Sequence, residues 1–475
     1  MKLSGKAKLS YALGAVGKDM VYMLSASYVL YYFQDLLGVS AIAMGVILMA
    51  ARVFDAFNDP IMGVIVAKTK TRWGKFRPWL LIGTLTNAVV LFLMFAAPPT
   101  MDAKGLVAYA AITYILWGVT YTMMDIPYWS MIPAFTEGGK ERENLTTLAR
   151  TSAGVGSAII TILTMNLVPK LGKMFGGLEG NAGQIVGFKW FSLIVAVLFI
   201  LFTVLTCVNV KEKSTTEMKT VSVGQMFKAL VQNDQAMTVT VTIVLINTAV
   251  YITSNLVIYF FKYDFGGTGW NNAYVLFNMF GGAIQVLSMM VFYPLLRKKF
   301  SSLQIFYICL GMAIIGYAVL LALAFINMSS VFLLFIPAFC IFAANGMLTV
   351  ITTVFLANTV DYGQLKNGRR DESVIFSMQT FVVKLASGVA ALAASICLHI
   401  NQLQSGTDVS AQDAVTDFSA GVTLAQKAGL RMTMTIIPIV GLFIALFWFR
   451  KHFILTDAKV EEISKELAAG QTEAE

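Results

Sequence analysis

The feature that most constrains this chain is the length and spacing of its apolar runs. They lie near residues 9–36, 41–67, 78–98, 105–133, 148–170 and 187–209. A polar stretch at 210–235 follows, and six more runs lie near 236–262, 272–296, 302–326, 330–358, 372–400 and 430–450. About 20 apolar residues make a helix long enough to cross the hydrocarbon core of a bilayer. Backbone groups in lipid must be satisfied within the segment, so each run is expected to be helical. Composition agrees: 57% of the 475 residues are hydrophobic and 13% are charged, against about 25% charged in soluble domains. The charge needed to cover several soluble domains is missing. A soluble enzyme, a disordered chain and a single-pass anchored protein therefore all fit poorly. The expectation is an all-α membrane protein with 12 transmembrane helices.

The net charge of +9 does not point to nucleic acid, because the basic residues sit in short segments between apolar runs. Lys2, Lys6 and Lys8 open the chain, Lys68, Lys70, Arg72, Lys75 and Arg77 follow the second run, and Arg297, Lys298 and Lys299 follow the eighth. The segments on the other side hold few Lys or Arg. The positive-inside rule then puts both termini and the middle loop in the cytoplasm of a cell whose inner membrane the chain crosses many times. The N-terminus runs straight into the first span and lacks the cleavage pattern of a signal peptide. Cys207, Cys309, Cys340 and Cys397 lie in apolar runs without metal-ligand spacing, as small packing residues do.

The two basic loops each follow the second run of a six-run half, which marks a weak internal repeat. Two six-helix bundles joined by a cytoplasmic loop is the major facilitator layout, with a site near the midplane between repeats. The expected organisation is a bundle at 1–209, a loop at 210–235, a second bundle at 236–453 and a cytoplasmic tail at 454–475, solvated as a short helix or unstructured.

Charges inside the runs mark candidate sites, since an ionisable group at mid-membrane costs about 2.5–3.5 kcal/mol on insertion scales. The first run carries Lys18 and Asp19. The second carries Arg52, Asp55, Asn58 and Asp59, and helical spacing puts Asp55, Asn58 and Asp59 on one face. That face is oxygen-rich and suits a small hard cation or a proton, or else pairs with a basic side chain such as Arg52. The fourth run, YILWGVTYTMMDIPYWSMIP, lines up Tyr121, Thr122, Asp125 and Trp129, with Pro127 permitting a bend. A carboxylate beside aromatic rings is sugar-binding chemistry: the carboxylate accepts from hydroxyls, and a ring covers the apolar C–H face. Arg150 could donate to the same hydroxyls or hold Asp125 or Asp19. In the second half Lys384 stands in MQTFVVKLASG with Thr380 one turn before it. An ammonium there can compete with a cation for Asp55 and Asp59, which would couple the halves. The chain has no Gly-rich phosphate loop, zinc spacing or nucleophile–base pair, so an enzyme reading has no residues to carry it.

The segments KLSYALGAVGKD, RVFDAFNDPIMG, TRWGKFRPWLLIGT, TYILWGVTYTMMDIPYWS, VDYGQLK and MQTFVVK, in that order, resemble the signatures of the glycoside–pentoside–hexuronide:cation symporters of the major facilitator superfamily. The resemblance spans about the whole chain. It implies two pseudo-symmetric six-helix bundles and uptake of a sugar with Na⁺, Li⁺ or H⁺ by alternating access. It assigns Asp55, Asn58, Asp59 and Thr122 to the cation, and Lys18, Asp19, Tyr121, Asp125, Trp129, Arg150, Thr380 and Lys384 to the sugar. Asp361, Tyr362, Arg370 and Glu372 match residues that help close an inner gate. Two positions depart from the pattern. Thr349 replaces a sugar-pocket Trp, which leaves the identity of the sugar open, and Asn358 replaces an Asp of the gate. Neutral oxygens from Asn58 and Thr122 favour Na⁺ over H⁺ as the coupling cation. No other cofactor is implied, and the expected partners are the sugar, the cation and the lipid bilayer, with the monomer as the working unit. Two rival readings are a transporter of a lysolipid or drug on the same scaffold and a receptor or assembly factor that moves nothing.

Overall fold

The computed structural model describes residues 3–98, 100–136, 139–212, 228, 231–267, 269–326, 328, 330–368, 370–403 and 417–472. Regular structure among them is helical. The first stretch contains α1 (Gly5–Leu30), α2 (Ala41–Lys68), α3 (Arg77–Met94), α4 (Ala103–Phe135), α5 (Gly139–Gly176) and α6 (Gly180–Asn209). The second contains α7 (Asp234–Tyr259), α8 (Trp270–Leu287), α9 (Ser302–Ile326), α10 (Val331–Asn367), α11 (Glu372–Ile400) and α12 (Leu424–His452), and then α13 (Asp457–Thr472). Among the described residues, 9 helices are long and apolar enough to cross a membrane. Helix α5 makes a tenth if its two parts, bent by 56°, form one span. Pro169 lies in that helix and cannot bond the carbonyl of residue 165, where the bend falls.

Side chains seal the helix starts as the sequence allows. Ser4, Ser40 and Asp102 accept from backbone N–H groups of the first turns of α1, α2 and α4. Thr423 and Gln426 form a reciprocal capping box on α12. The two six-helix stretches also share an irregularity. Helix α1 runs on into a π-helical turn, Tyr31–Leu36, and α7 into another, Phe260–Phe265. Each ends the first helix of its stretch, as an internal repeat would have it.

The chain divides into two compact units. Unit 1 comprises 1–233, 357–381 and 460–475, so it takes in the end of α10 and the start of α11. Within it α1 packs against α5 and α6, and α4 against α2 and α3. Gly156 of α5 lies against the carbonyl of Val16 in α1 with no room for a Cβ, which brings the two helices together near Lys18.

Unit 2 comprises 234–356 and 382–459, and in it α12 packs against α7 and α9. A buried ion pair pins the start of α12 to the π turn after α7. Arg431 donates from Nε to Asp264 Oδ2 at 2.7 Å and from Nη2 to Oδ1 at 2.6 Å. Nearby, Asp417 accepts from Ser419 and from the Gly267 N–H, which together hold its carboxyl below the usual carboxylate range.

Candidate functional site

The charged residues of α1 and α4 meet inside unit 1. Lys18 Nζ lies 2.7 Å from Asp125 Oδ1 and 3.1 Å from Asp19 Oδ2, and donates to the Tyr121 hydroxyl at 3.2 Å. Trp129 Nε1 donates to the same Asp125 oxygen at 3.1 Å. The guanidinium of Arg150 sits 3.7 Å above the Trp129 ring centroid. Two carboxylates thus face two cations around an aromatic wall that continues through Tyr121, Trp117 and Tyr22. Lys18 is 4% exposed; an ammonium so deep persists because acids compensate it. One indole face of Trp129 belongs to Arg150, a cation–π partner, where the sequence suggested an apolar sugar face.

A pair of tyrosines fixes the two helices below this cluster. Tyr11 and Tyr128 stack with centroids 4.4 Å apart. Each phenol donates to the other residue's backbone carbonyl, at 2.5 and 2.7 Å.

The carboxylates of α2 meet α4 on a different face. Thr122 Oγ1 donates to Asp59 Oδ1 at 2.9 Å, and Asp59 is fully buried. One turn away, a Cβ placed on Gly118 would lie 2.6 Å from Asp55 Oδ1. Positions 55 and 59 of α2 therefore match 118 and 122 of α4 as two rungs. Asn58 lies between them in sequence, and its amide nitrogen is buried without a hydrogen-bond partner. The side chain of Arg52, weighed as a partner for these acids, lies outside the described residues.

A third cluster gathers in unit 1 around Asp361. Arg142, 1% exposed, donates to Thr136 Oγ1 and its carbonyl, to the Ala357 carbonyl and to Asn358 Oδ1, and its Nη1 lies 2.7 Å from Asp361 Oδ2. Arg370 lies 2.8 Å from Asp361 Oδ1 and 2.6 Å from Glu372 Oε1, and donates to the Pro133 carbonyl at 2.5 Å. Lys75 Nζ reaches Glu372 Oε2 at 3.4 Å. Burial opposes the charge of Arg370, but Glu372 and Asp361 beside it outweigh that and hold its pKa above the ordinary value. Tyr362 lies under the Lys366 ammonium, 5.4 Å from its ring centroid. Asn358, the departure from the family pattern, still supplies an acceptor to Arg142. Sequence reasoning missed Arg142 and Lys75 here. The segment that carries Arg142 falls between the fourth and fifth apolar runs, and Lys75 counts in the sequence only toward orientation.

Thr380 lies in unit 1, where its hydroxyl donates to the Phe376 carbonyl at 3.1 Å. Lys384 and Thr349 lie in unit 2. Lys384 is half-buried, and Thr349 donates to the Asn345 carbonyl at 2.8 Å.

Comparison with known proteins supplies the wider context. The family described as "MFS/sugar transport protein" matches residues 10–456. The raffinose carrier protein of Pediococcus pentosaceus is 27% identical over 97% of this chain and 71% of its own length. The inner membrane symporter YicJ of Escherichia coli (strain K12) is 26% identical over 99% of this chain and 96% of its own. In three dimensions the chain resembles the proton:xylose symporter XylE with a TM-score of 0.65, covering 96% of this chain and 98% of that one at 14% identity, a likeness of fold.

Proposed function

This chain belongs to the MFS/sugar transport protein family, and from that membership we propose that it is a multi-pass membrane symporter that carries a sugar together with a cation. Asp19 and Asp125 accept from sugar hydroxyls. Lys18, Tyr121, Trp129 and Arg150 orient those carboxylates and donate to the sugar themselves, and Thr380 serves the same substrate. The cation is Na⁺, held by Asp55, Asn58, Asp59 and Thr122. If the buried amide of Asn58 turns over, its oxygen faces the place its nitrogen now occupies, and a metal ion uses neutral oxygens that a proton does not need.

The observation that carries the reading is the sharing of α4. Thr122 meets Asp59 on one face of the helix, while the adjacent Tyr121, with Asp125, meets Lys18 on another. A cation that draws on Thr122 and Asp59 acts on the helix that presents the sugar ligands. Coupling is then reciprocal, each solute tightening the other by one factor. Uptake runs down the ion gradient, and an inward positive charge gains about 2.3 kcal/mol per 100 mV. The cluster of Arg142, Asp361, Tyr362, Arg370 and Glu372 closes the cytoplasmic side, with both termini on that side of an inner membrane and the monomer as the working unit.

The test is a titration of sugar binding against Na⁺ at fixed pH, on the parent chain and on Asp59→Asn. Na⁺ is expected to tighten sugar binding in the parent and not in the variant. A parent affinity indifferent to Na⁺ but dependent on pH would reassign the coupling ion to H⁺. A lysolipid or drug carrier on this scaffold would keep its uptake in Asp19→Asn and Asp125→Asn, whereas glycoside uptake is expected to vanish in both.

A further inference from the structure

Glu212 lies three residues past the end of α6 and takes no part in the clusters above. Its side chain is only 4% exposed. Its Oε2 accepts the Lys75 N–H at 2.6 Å, and its Oε1 accepts the N–H groups of Phe76 and Arg77, each at 3.0 Å. Arg77 Nε lies 3.8 Å from the same oxygen. These N–H groups sit at the start of α3, where a helix leaves its donors unsatisfied. An acidic cap usually comes from the helix's own flank; this one comes from 135 or more residues away. Gly74 makes room for it. Its φ is +102°, and a Cβ there would lie 2.5–2.6 Å from the Glu212 carboxylate.

The cradle fixes the residue that closes the third cluster. Lys75 gives its backbone N–H to Glu212 and its ammonium to Glu372. Glu372 holds Arg370, which holds Asp361, which holds Arg142. We infer that Glu212 is a positioning residue for the inner gate: by capping the 74–77 turn it sets Lys75 against Glu372, and so ties the beginning of the middle segment to the gate. This rests on the reading of the Asp361 cluster as that gate. A carboxylate suits the task because it can accept all three N–H bonds. An amide of the same size turns an NH₂ group toward at least one of them and repels it.

The experiment is a double-mutant cycle on the full chain in lipid nanodiscs and proteoliposomes, with Glu212→Gln, Lys75→Gln and the pair. Three quantities are read: deuterium uptake across 357–372, maximal sugar uptake rate and sugar Kd. Glu212→Gln is expected to raise exchange in 357–372 and to lower the maximal rate about threefold or more, with Kd within about twofold. Lys75→Gln is expected to do the same, and the pair to be no worse than Lys75→Gln alone. Glu212→Asp, which keeps the charge on a shorter arm, should recover part of the rate. It also supplies the comparison if Glu212→Gln does not assemble in the membrane. Exchange rising only around 74–80, or losses that multiply in the pair, would overturn the inference and leave the gate intact as a reading. If Lys75→Gln changes neither exchange nor rate, the inference is overturned as well, and an Arg370→Gln variant that also changes neither would sink the gate reading itself.

Discussion

Gly118 is the smallest residue beside the α2 carboxylates, and replacing it with alanine tests the proposed cation site without removing a ligand. The new Cβ would lie 2.6 Å from Asp55 Oδ1, whereas real Cβ contacts keep at least 3.0 Å and ordinary ones 3.4 Å or more. The mobile partner is the end of a side chain, so the carboxylate moves, by about 0.6 Å. A carboxylate oxygen holds a small cation at about 2.4 Å. Moving it to about 3.0 Å at an effective dielectric of about 20 weakens the attraction by about 1.4 kcal/mol. That is about tenfold in cation affinity. Alanine also favours the helix over glycine by about 1 kcal/mol, so a loss of folding is not the expected outcome. Isothermal titration of Na⁺ into the purified protein measures the change directly. Sugar affinity at saturating Na⁺ should stay close to that of the parent, while the Na⁺ concentration needed to reach it rises about tenfold. A Na⁺ affinity within twofold of the parent would refute the placement of the cation beside Asp55.

Three further outcomes follow from the same geometry. Thr122→Val removes a buried hydrogen bond to a carboxylate, worth about 1.5–3 kcal/mol, and should weaken Na⁺ dependence of sugar binding by at least about tenfold in the same titration. In unit 2, Arg431→Met leaves Asp264 buried without its guanidinium and should cost about 3–5 kcal/mol, whereas Arg431→Met with Asp264→Leu should recover most of the thermal midpoint; an equal loss in the double variant would mean that the ion pair itself, and not a stranded Asp264 charge, accounts for the stability. The pKa of Arg370 is held above its ordinary value, so its ion pairs contribute fully below the unfolded value and weaken only as pH climbs through the still higher folded one. Intrinsic-rate-corrected exchange across 357–372 should therefore show no loss of protection traceable to Arg370 between about pH 6 and 9, and a stepwise loss there that Arg370→Lys moves would contradict this.

The fold is legible in the sequence because the bilayer imposes one length on every span. What the apolar runs do not reveal is where helices stop. The fifth run begins near 148, but α5 begins at Gly139; the tenth ends near 358, but α10 continues to Asn367. Hydropathy reports the lipid, while a helix goes on as long as each added residue gains its hydrogen bond. These extra turns carry Arg142 and Asp361, so the ends the apolar pattern misses are the ends that hold the ion pairs. Lys18, Asp19 and Asp125 stood out for the opposite reason: a charge inside an apolar run is costly enough to need an explanation. Gly118 and Glu212 gave no such signal. A glycine in an apolar run and an acid in a polar stretch are both ordinary, and only the approach of a distant chain shows what each is for.

The position of α4 bears on how one protein could couple two solutes to one movement. Its residues 118 and 122 form one stripe, and 121, 125 and 129 form another about 100° around the helix. The first stripe meets the α2 carboxylates, the second Lys18 and Arg150. At its last turn, the carbonyls of Pro133 and Thr136 accept from Arg370 and Arg142, cations at the negative end of the helix dipole. A cation, a sugar and the proposed gate would therefore all act on one continuous helix rather than signal through a chain of loosely packed side chains. A small roll of α4 that improves one set of contacts must alter the other two. The Tyr11–Tyr128 clasp, on α4 between Asp125 and the carbonyls that the arginines cap, sets the pivot against which such a roll would work. Phenylalanine at either tyrosine removes one of the two hydrogen bonds and keeps the stacked ring. If the clasp is that pivot, the change should alter the coupling ratio of cation to sugar. A clasp that only adds stability would lower the thermal midpoint and leave the ratio as it is.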